Sequence, residues 1–174
     1  MDGSLDIHDG VATVRFVRRL DHPPEKVWRA MTEPARLATW FPQGVAFDGD
    51  LAVGTRLRYS FGPEDDGRAD QGFDGEVVEI DPPRLLVVTW GPDRLRFELA
   101  DDGSNGTVLT FTDEFDEVGK AARDTAGWHV CLDGLTRSLE GEQADASIED
   151  QWKTVHDGYV AAFPPEAATI GPPS

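Results

Sequence analysis

Four histidines and one cysteine are the first residues to weigh for chemistry: His8, His22, His129, His156 and Cys131. They are scattered, and no His-x-x-x-His or Cys-x-x-Cys spacing brings two metal ligands together. No metal site and no cofactor is expected. A Gly-x-Ser-x-Gly nucleophile turn and a phosphate-binding glycine loop are also absent. His129 and Asp133 are four apart, which on a helix would make an acid–base pair if both faced a cavity. They fall beside an apolar stripe, so a half-buried surface pair is the expectation. Cys131 falls on that stripe and is expected to be a buried, inert thiol. Asp113-Glu114 ends a strand-like segment and reads as an acidic rim or as charge at a helix N-terminus. No catalytic residue is assigned, which tilts the reading away from an enzyme without closing it.

Polar side chains on otherwise apolar faces stand out next: Arg18, Tyr59, Glu76 and Thr110. Arg18 shares a strand face with Val14, Phe16 and Leu20. It is either an anchor for an anionic ligand or the partner of a core carboxylate. With Tyr59 in the same cavity, it would orient a carbonyl or carboxylate of a mainly apolar ligand. The walls would be Trp40, Phe41, Phe61, Phe73, Trp90, Phe97, Phe111, Trp128 and Leu132, with Glu76 completing the candidate binding set. Small molecules favour concave spaces of this composition.

The elements that must position these side chains centre on the stretch from Val118 to Glu142. Trp128, Cys131, Leu132, Leu135 and Leu139 recur there at spacings of three and four, one stripe of an α-helix. A helix of about 20 residues spans roughly 30 Å, the width of a small domain. Before it, Val11 to Leu20 reads as a strand. Asp21 then caps a short helix opened by Pro23-Pro24, and a second short helix runs from Ala35 to Phe41. From Val45 to Thr112 the pattern is strands and turns: Ala46 to Asp50, Thr55 to Phe61, Phe73 to Ile80, Leu85 to Trp90, Leu95 to Leu99, and Thr107 to Thr112. Residues 62–72 read as a surface loop. The turns are tight, so the strands are antiparallel, about seven in all. Such a sheet closes over the long helix. Ile148, Trp152, Val155, Tyr159, Val160 and Phe163 mark a further amphipathic helix, followed by a loose tail.

The chain has 174 residues, net charge -17 and pI about 4.4. One domain with a sizeable core fits that length. The charge disfavours nucleic acid and anionic membranes. A single cysteine excludes an internal disulfide. Residues 1–10 are polar and acidic, with no signal-peptide pattern and no membrane-length apolar run elsewhere. A cytoplasmic protein without membrane insertion is the expectation. The domain reading is an N-terminal extension at 1–10, a core domain at 11–142, and an additional helix and tail at 143–174.

Local phrases in order carry a resemblance. They are Pro23-Pro24-Glu25-Lys26-Val27-Trp28, Trp40-Phe41, Gly75-Glu76-Val77, Ile80-Asp81-Pro82-Pro83, Leu86, Thr89-Trp90, and Gly127-Trp128 with Leu132, Leu135 and Leu139. Over roughly 11–142 the chain resembles the SRPBCC, or START-like, superfamily. The subgroup is that of homologues of the heat-shock-protein-90 ATPase activator (AHSA-like). The resemblance implies an α+β helix-grip fold: a seven-stranded antiparallel sheet curved around a long C-terminal helix, with two short helices between strands one and two. The superfamily includes lipid and hormone carriers and polyketide cyclases. Fold alone does not choose among these. The leading expectation is a small hydrophobic ligand held between sheet and helix. The alternatives are a cyclase- or aromatase-like enzyme, and a protein-interaction or co-chaperone-like module, including a homodimer formed through the 148–163 helix. The namesake co-chaperone carries an additional N-terminal domain, no counterpart of which is expected here, so co-chaperone activity is the less favoured expectation.

Overall fold

The computed structural model describes residues 2–42, 44–60, 72–142 and 148–171, with side chains of 148–150 left aside. In chain order the elements are β1 (Ser4–His8), β2 (Val11–Leu20), α1 (Pro24–Thr32), α2 (Pro34–Leu37), β3 (Gly44–Phe47) and β4 (Arg56–Ser60). Then follow β5 (Gly72–Asp81), β6 (Leu85–Trp90), β7 (Asp93–Asp101), β8 (Thr107–Phe115), α3 (Ala121–Glu140) and α4 (Ile148–Ala162). Short 3-10 turns at Val118–Lys120 and Pro165–Ala168 flank the last two helices. The strands form one antiparallel sheet in the order β1-β2-β8-β7-β6-β5-β4-β3. This is the helix-grip architecture, with eight strands among the described residues rather than seven.

The additional strand is β1, within the stretch read as a polar extension. Asp9 and Gly10 both take positive φ, 51° and 84°, and turn β1 directly onto β2 with His8 opposite Val11. Asp-Gly is a strong two-residue hairpin signal, because the turn needs positive φ at both central positions. The expectations for other local features need correction too. Pro23, not Asp21, stands at the N-cap of α1, and no side chain caps it. The strand expected at 46–50 lies at Gly44–Phe47. Within the described residues, through 171, the expected loose tail is packed: Ala167 is fully buried, and the Ile170 N–H donates to the Gly119 carbonyl at 3.0 Å.

Strand alternation sends Val14 and Phe16 (β2), Leu109 and Phe111 (β8), Leu95 and Phe97 (β7), and Leu57 and Tyr59 (β4) to one face. On that face lies α3, burying Ala121, Ala122, Thr125, Ala126, Trp128, Leu132, Leu135 and Leu139. The small residues of its first half let helix and sheet approach closely. At Gly134 an added Cβ would stand 3.2 Å from the Trp40 carbonyl oxygen, so glycine admits the chain following α2. Gly141 ends α3 with φ of 82°, and the Glu142 N–H reaches back to the Arg137 carbonyl at 3.0 Å. Helix α4 packs on α3 and buries Tyr159 completely.

Candidate functional site

The interior between sheet and α3 is nearly filled. Phe111 packs on Phe97 and Trp128 with ring centroids 4.8 and 4.7 Å apart, and Tyr59 on Trp90 at 4.5 Å. A void of only about 50 Å³ remains there, bordered by Met31, Trp40, Tyr59, Phe97 and Trp128 among others. The roomier space opens at the end of this ring stack. It holds about 490 Å³ between the β6–β7 turn, the first half of α3 and the start of α4. Its apolar walls are Phe41, Phe73, Trp90, Trp128 and Trp152, with Cys131 and Gly127 on the helix side. Phe73 and Trp90 meet edge to face at 4.6 Å, and Phe41 stacks on Trp128 at 6.1 Å. An added Cβ at Gly127 would meet nothing within 4 Å, so the missing side chain leaves open space.

Of the residues expected to meet a ligand, Phe41, Phe73, Trp90 and Trp128 line this cavity. Trp40, Tyr59 and Phe97 border the small interior void, while Phe111 and Leu132 are core filling. Phe61 lies outside the described residues. The remaining polar candidates do not converge. Tyr59 donates its hydroxyl to the Thr89 carbonyl at 3.2 Å, and burial pushes its pKa up. Glu76 is exposed and points to the outer face, because Gly75 and Val77 take the inward positions beside it. Thr110 likewise sits on the outer face of β8, between inward Leu109 and Phe111.

Arg18 does point toward α3, but it is occupied there. Its Nη1 pairs with Asp133 Oδ1 and its Nε with Asp2 Oδ2, both at 2.8 Å. His129 completes this group. Its Nδ1 lies 2.8 Å from the Tyr159 hydroxyl and its Nε2 lies 3.5 Å from Asp133 Oδ2. The Tyr159 hydroxyl also accepts the Gly3 N–H at 3.0 Å. Burial lowers the His129 pKa, against the opposing pull of Asp133 and Asp2. The cluster clamps the first residues, β2, α3 and α4 together, away from the cavity.

The polar wall of the cavity consists of residues that were not singled out as ligand contacts: Asp93, Lys120, Arg123 and Asp124. Lys120 Nζ bonds the Asp93 carboxylate and lies 3.3 Å from Asp124 Oδ2. Arg123 Nε pairs with Asp124 Oδ1 at 2.6 Å. Behind them Asp113, expected at an acidic rim or as charge at a helix N-terminus, is buried and accepts the Trp128 indole N–H at 2.7 Å. One oxygen each of Asp93 and Asp113 has no hydrogen-bond partner among the described residues. Burial, then the charge of Asp93, pushes the Asp113 carboxyl up to about 8, so it holds its proton at neutral pH. Burial raises Asp93 as well, outweighing the pull of Lys120. For Lys120 burial acts downward, but the bond to Asp93 and the surrounding carboxylates win, and its pKa rises. Burial also holds the Cys131 thiol up at about 12, un-ionised. Carboxylate oxygens of Asp93, Asp113 and Asp124 come within 4.8 Å of one another, with the Lys120 ammonium already bonded among them.

No helix among the described residues is long and apolar enough to cross a membrane. No curated protein matches the chain. Solved structures share its fold. A conserved protein of unknown function from Enterococcus faecalis superposes with a TM-score of 0.76 at 23% identity, over 92% of this chain and 89% of that one. CalU16 from Micromonospora echinospora gives 0.69 at 20% identity, over 92% and 96%. DynU16, described as a putative protein in the dynemicin biosynthetic locus, gives 0.61 at 28% identity, over 75% of this chain and 48% of that one. The family model described as Activator of Hsp90 ATPase homolog 1-like protein matches residues 21–140, from the approach to α1 through the last residue of α3. The chain therefore belongs to the Activator of Hsp90 ATPase homolog 1-like family.

Proposed function

We propose that this protein binds a small, ring-bearing, mainly apolar molecule in the cavity at the open end of the sheet–helix stack. The observation that carries the reading is a space of about 490 Å³ walled by five aromatic side chains from separate parts of the chain. Ligand pockets typically measure about 300–1,000 Å³, and their walls are mostly apolar with a few fixed polar groups. Flat rings bury much area against Trp and Phe at little entropic cost. The setting of DynU16 in a biosynthetic locus favours a small-molecule ligand. Titration with an apolar naphthalene probe, followed by calorimetry, tests the reading. Trp152→Ala is expected to weaken the probe at least fivefold, because Trp152 is the cavity's contribution from α4. Equal affinity in wild type and variant would refute this placement.

A cyclase-like enzyme is the second reading, favoured by one observation: a buried carboxyl cluster with a lysine forms the cavity's polar wall. Perturbed titratable groups concentrate at sites of proton transfer. Deuterium exchange at the α-carbon of 2-tetralone, followed by NMR in D2O, tests it. Exchange no faster than in buffer removes this reading for simple ketones.

A further inference from the structure

The polar wall pairs two carboxylates, Asp93 and Asp124, with two cations, Lys120 and Arg123, while Asp113 behind them holds its proton. The nearby carboxylates of Asp116 and Glu117 tip the surroundings to negative, since Asp116 acts on Asp93 and Glu117 on Arg123. Asp93 lines the cavity, is 3% exposed, and leaves Oδ1 without a hydrogen-bond partner among the described residues. A buried acceptor of this kind calls for a donor, and a carboxylate calls most strongly for a charged one. The facing walls are Trp90, Trp128 and Trp152, whose ring faces attract cations. The chain's net charge of -17 draws the same sign of ligand toward the protein.

From this combination we infer that the ligand is an aromatic organic cation. Its protonated amine is directed at Asp124 and Asp93, and its rings lie among Trp90, Trp128 and Trp152. The inference rests on the cavity being the binding site, and it adds the chemical class of the occupant. Arg123 and Lys120 do not reverse the preference, because each is already paired with a wall carboxylate. With those pairs made, Asp93 Oδ1 is still without a donor among the described residues, and an ammonium supplies one. A carboxylate ligand would instead bring another acceptor to that oxygen, beside the outer carboxylates of Asp116 and Glu117.

Three probes of one shape decide the matter: 2-naphthylmethylamine, 2-naphthalenemethanol and 2-naphthoic acid. Each is titrated into the full chain by calorimetry at pH 7 and physiological salt. The amine is expected to bind at least tenfold tighter than the alcohol, and the acid weakest of all. Asp124→Asn is expected to cut amine affinity at least fivefold while leaving the alcohol within twofold. Equal affinities for amine and alcohol, or a preference for the acid, overturn the inference and leave the cavity reading standing. Absence of binding by all three removes both. Binding of calcium or magnesium alone that blocks the amine would also overturn it, by assigning the carboxylates to an inorganic cation. The three-probe comparison uses the unmodified protein, so it decides even where Asp124→Asn does not fold.

Discussion

Asp113 gives the sharpest prediction. In the unfolded chain its carboxyl titrates at the ordinary value of 3.8; in the folded protein burial holds it at about 8. Between those values the folded state binds one more proton than the unfolded state, so stability falls as pH rises. The loss is fully expressed once pH exceeds the folded value, and absent below the unfolded one. One pKa unit corresponds to about 1.4 kcal/mol, so from pH 5 to pH 8 the cost of keeping Asp113 grows by roughly 4 kcal/mol. Asp113→Asn removes the ionisation and keeps an amide oxygen to accept the Trp128 indole N–H. The variant is therefore expected to gain on wild type by about 1.4 kcal/mol for each pH unit across that window. At pH 7 a gain of about 2–4 kcal/mol corresponds to a rise in Tm of roughly 5–15 °C for a domain of this size. Urea unfolding of both proteins at half-unit steps from pH 5 to pH 8.5 measures the difference free of other titrating groups. A flat difference, or wild type gaining on the variant as pH rises, would refute the assignment of a proton to this carboxyl.

Other outcomes follow from the same structure. Lys120→Met leaves Asp93 buried without its cation and is expected to destabilise by about 3–5 kcal/mol in urea unfolding, the usual cost of breaking a buried pair from one side. His129 has a folded pKa below its ordinary 6.5, so the stability it contributes is complete above that value and is lost as pH falls through the depressed one. An NMR titration should place its midpoint below 6.5, and cooling of Tm between pH 7.5 and 5.5 should be smaller in His129→Gln. Gly3→Ala would put a Cβ 2.7 Å from atoms of Phe16, Thr125 and Tyr159, and is expected to cost about 1–3 kcal/mol in thermal or urea unfolding.

The aromatic half of the site was legible in the sequence from periodicity and from ring type. Trp128 sits on the apolar stripe of α3, so its burial follows from spacing alone, whereas Trp90 and Phe73 were marked by ring type on apolar strands and are partly buried. The charged half obeys the same periodicity but was masked by composition. Asp113 follows Leu109 and Phe111 at steps of two, and Asp93 precedes Leu95 and Phe97 in the same way, so both must face inward. Lys120, Asp124 and Trp128 are four apart along the helix axis. An acid in an inward register is the signal that was available. Arg18 was correctly oriented, yet its partners Asp2 and Asp133 are remote in sequence, and alternation carries no information about them. Glu76 was misplaced because Gly75, which takes the inward position, has no side chain to mark the face. Trp152 belongs to a helix whose docking on α3 is a tertiary fact.

Gly127 also sets the terms on which this family member trades rigidity for room. A glycine within a long helix gives up about 0.5–1 kcal/mol relative to alanine, and here nothing crowds the position to demand it. The vacancy works as a sizing notch for the proposed ligand: Gly127→Ala would firm the helix while narrowing the cavity, and each larger residue would narrow it further.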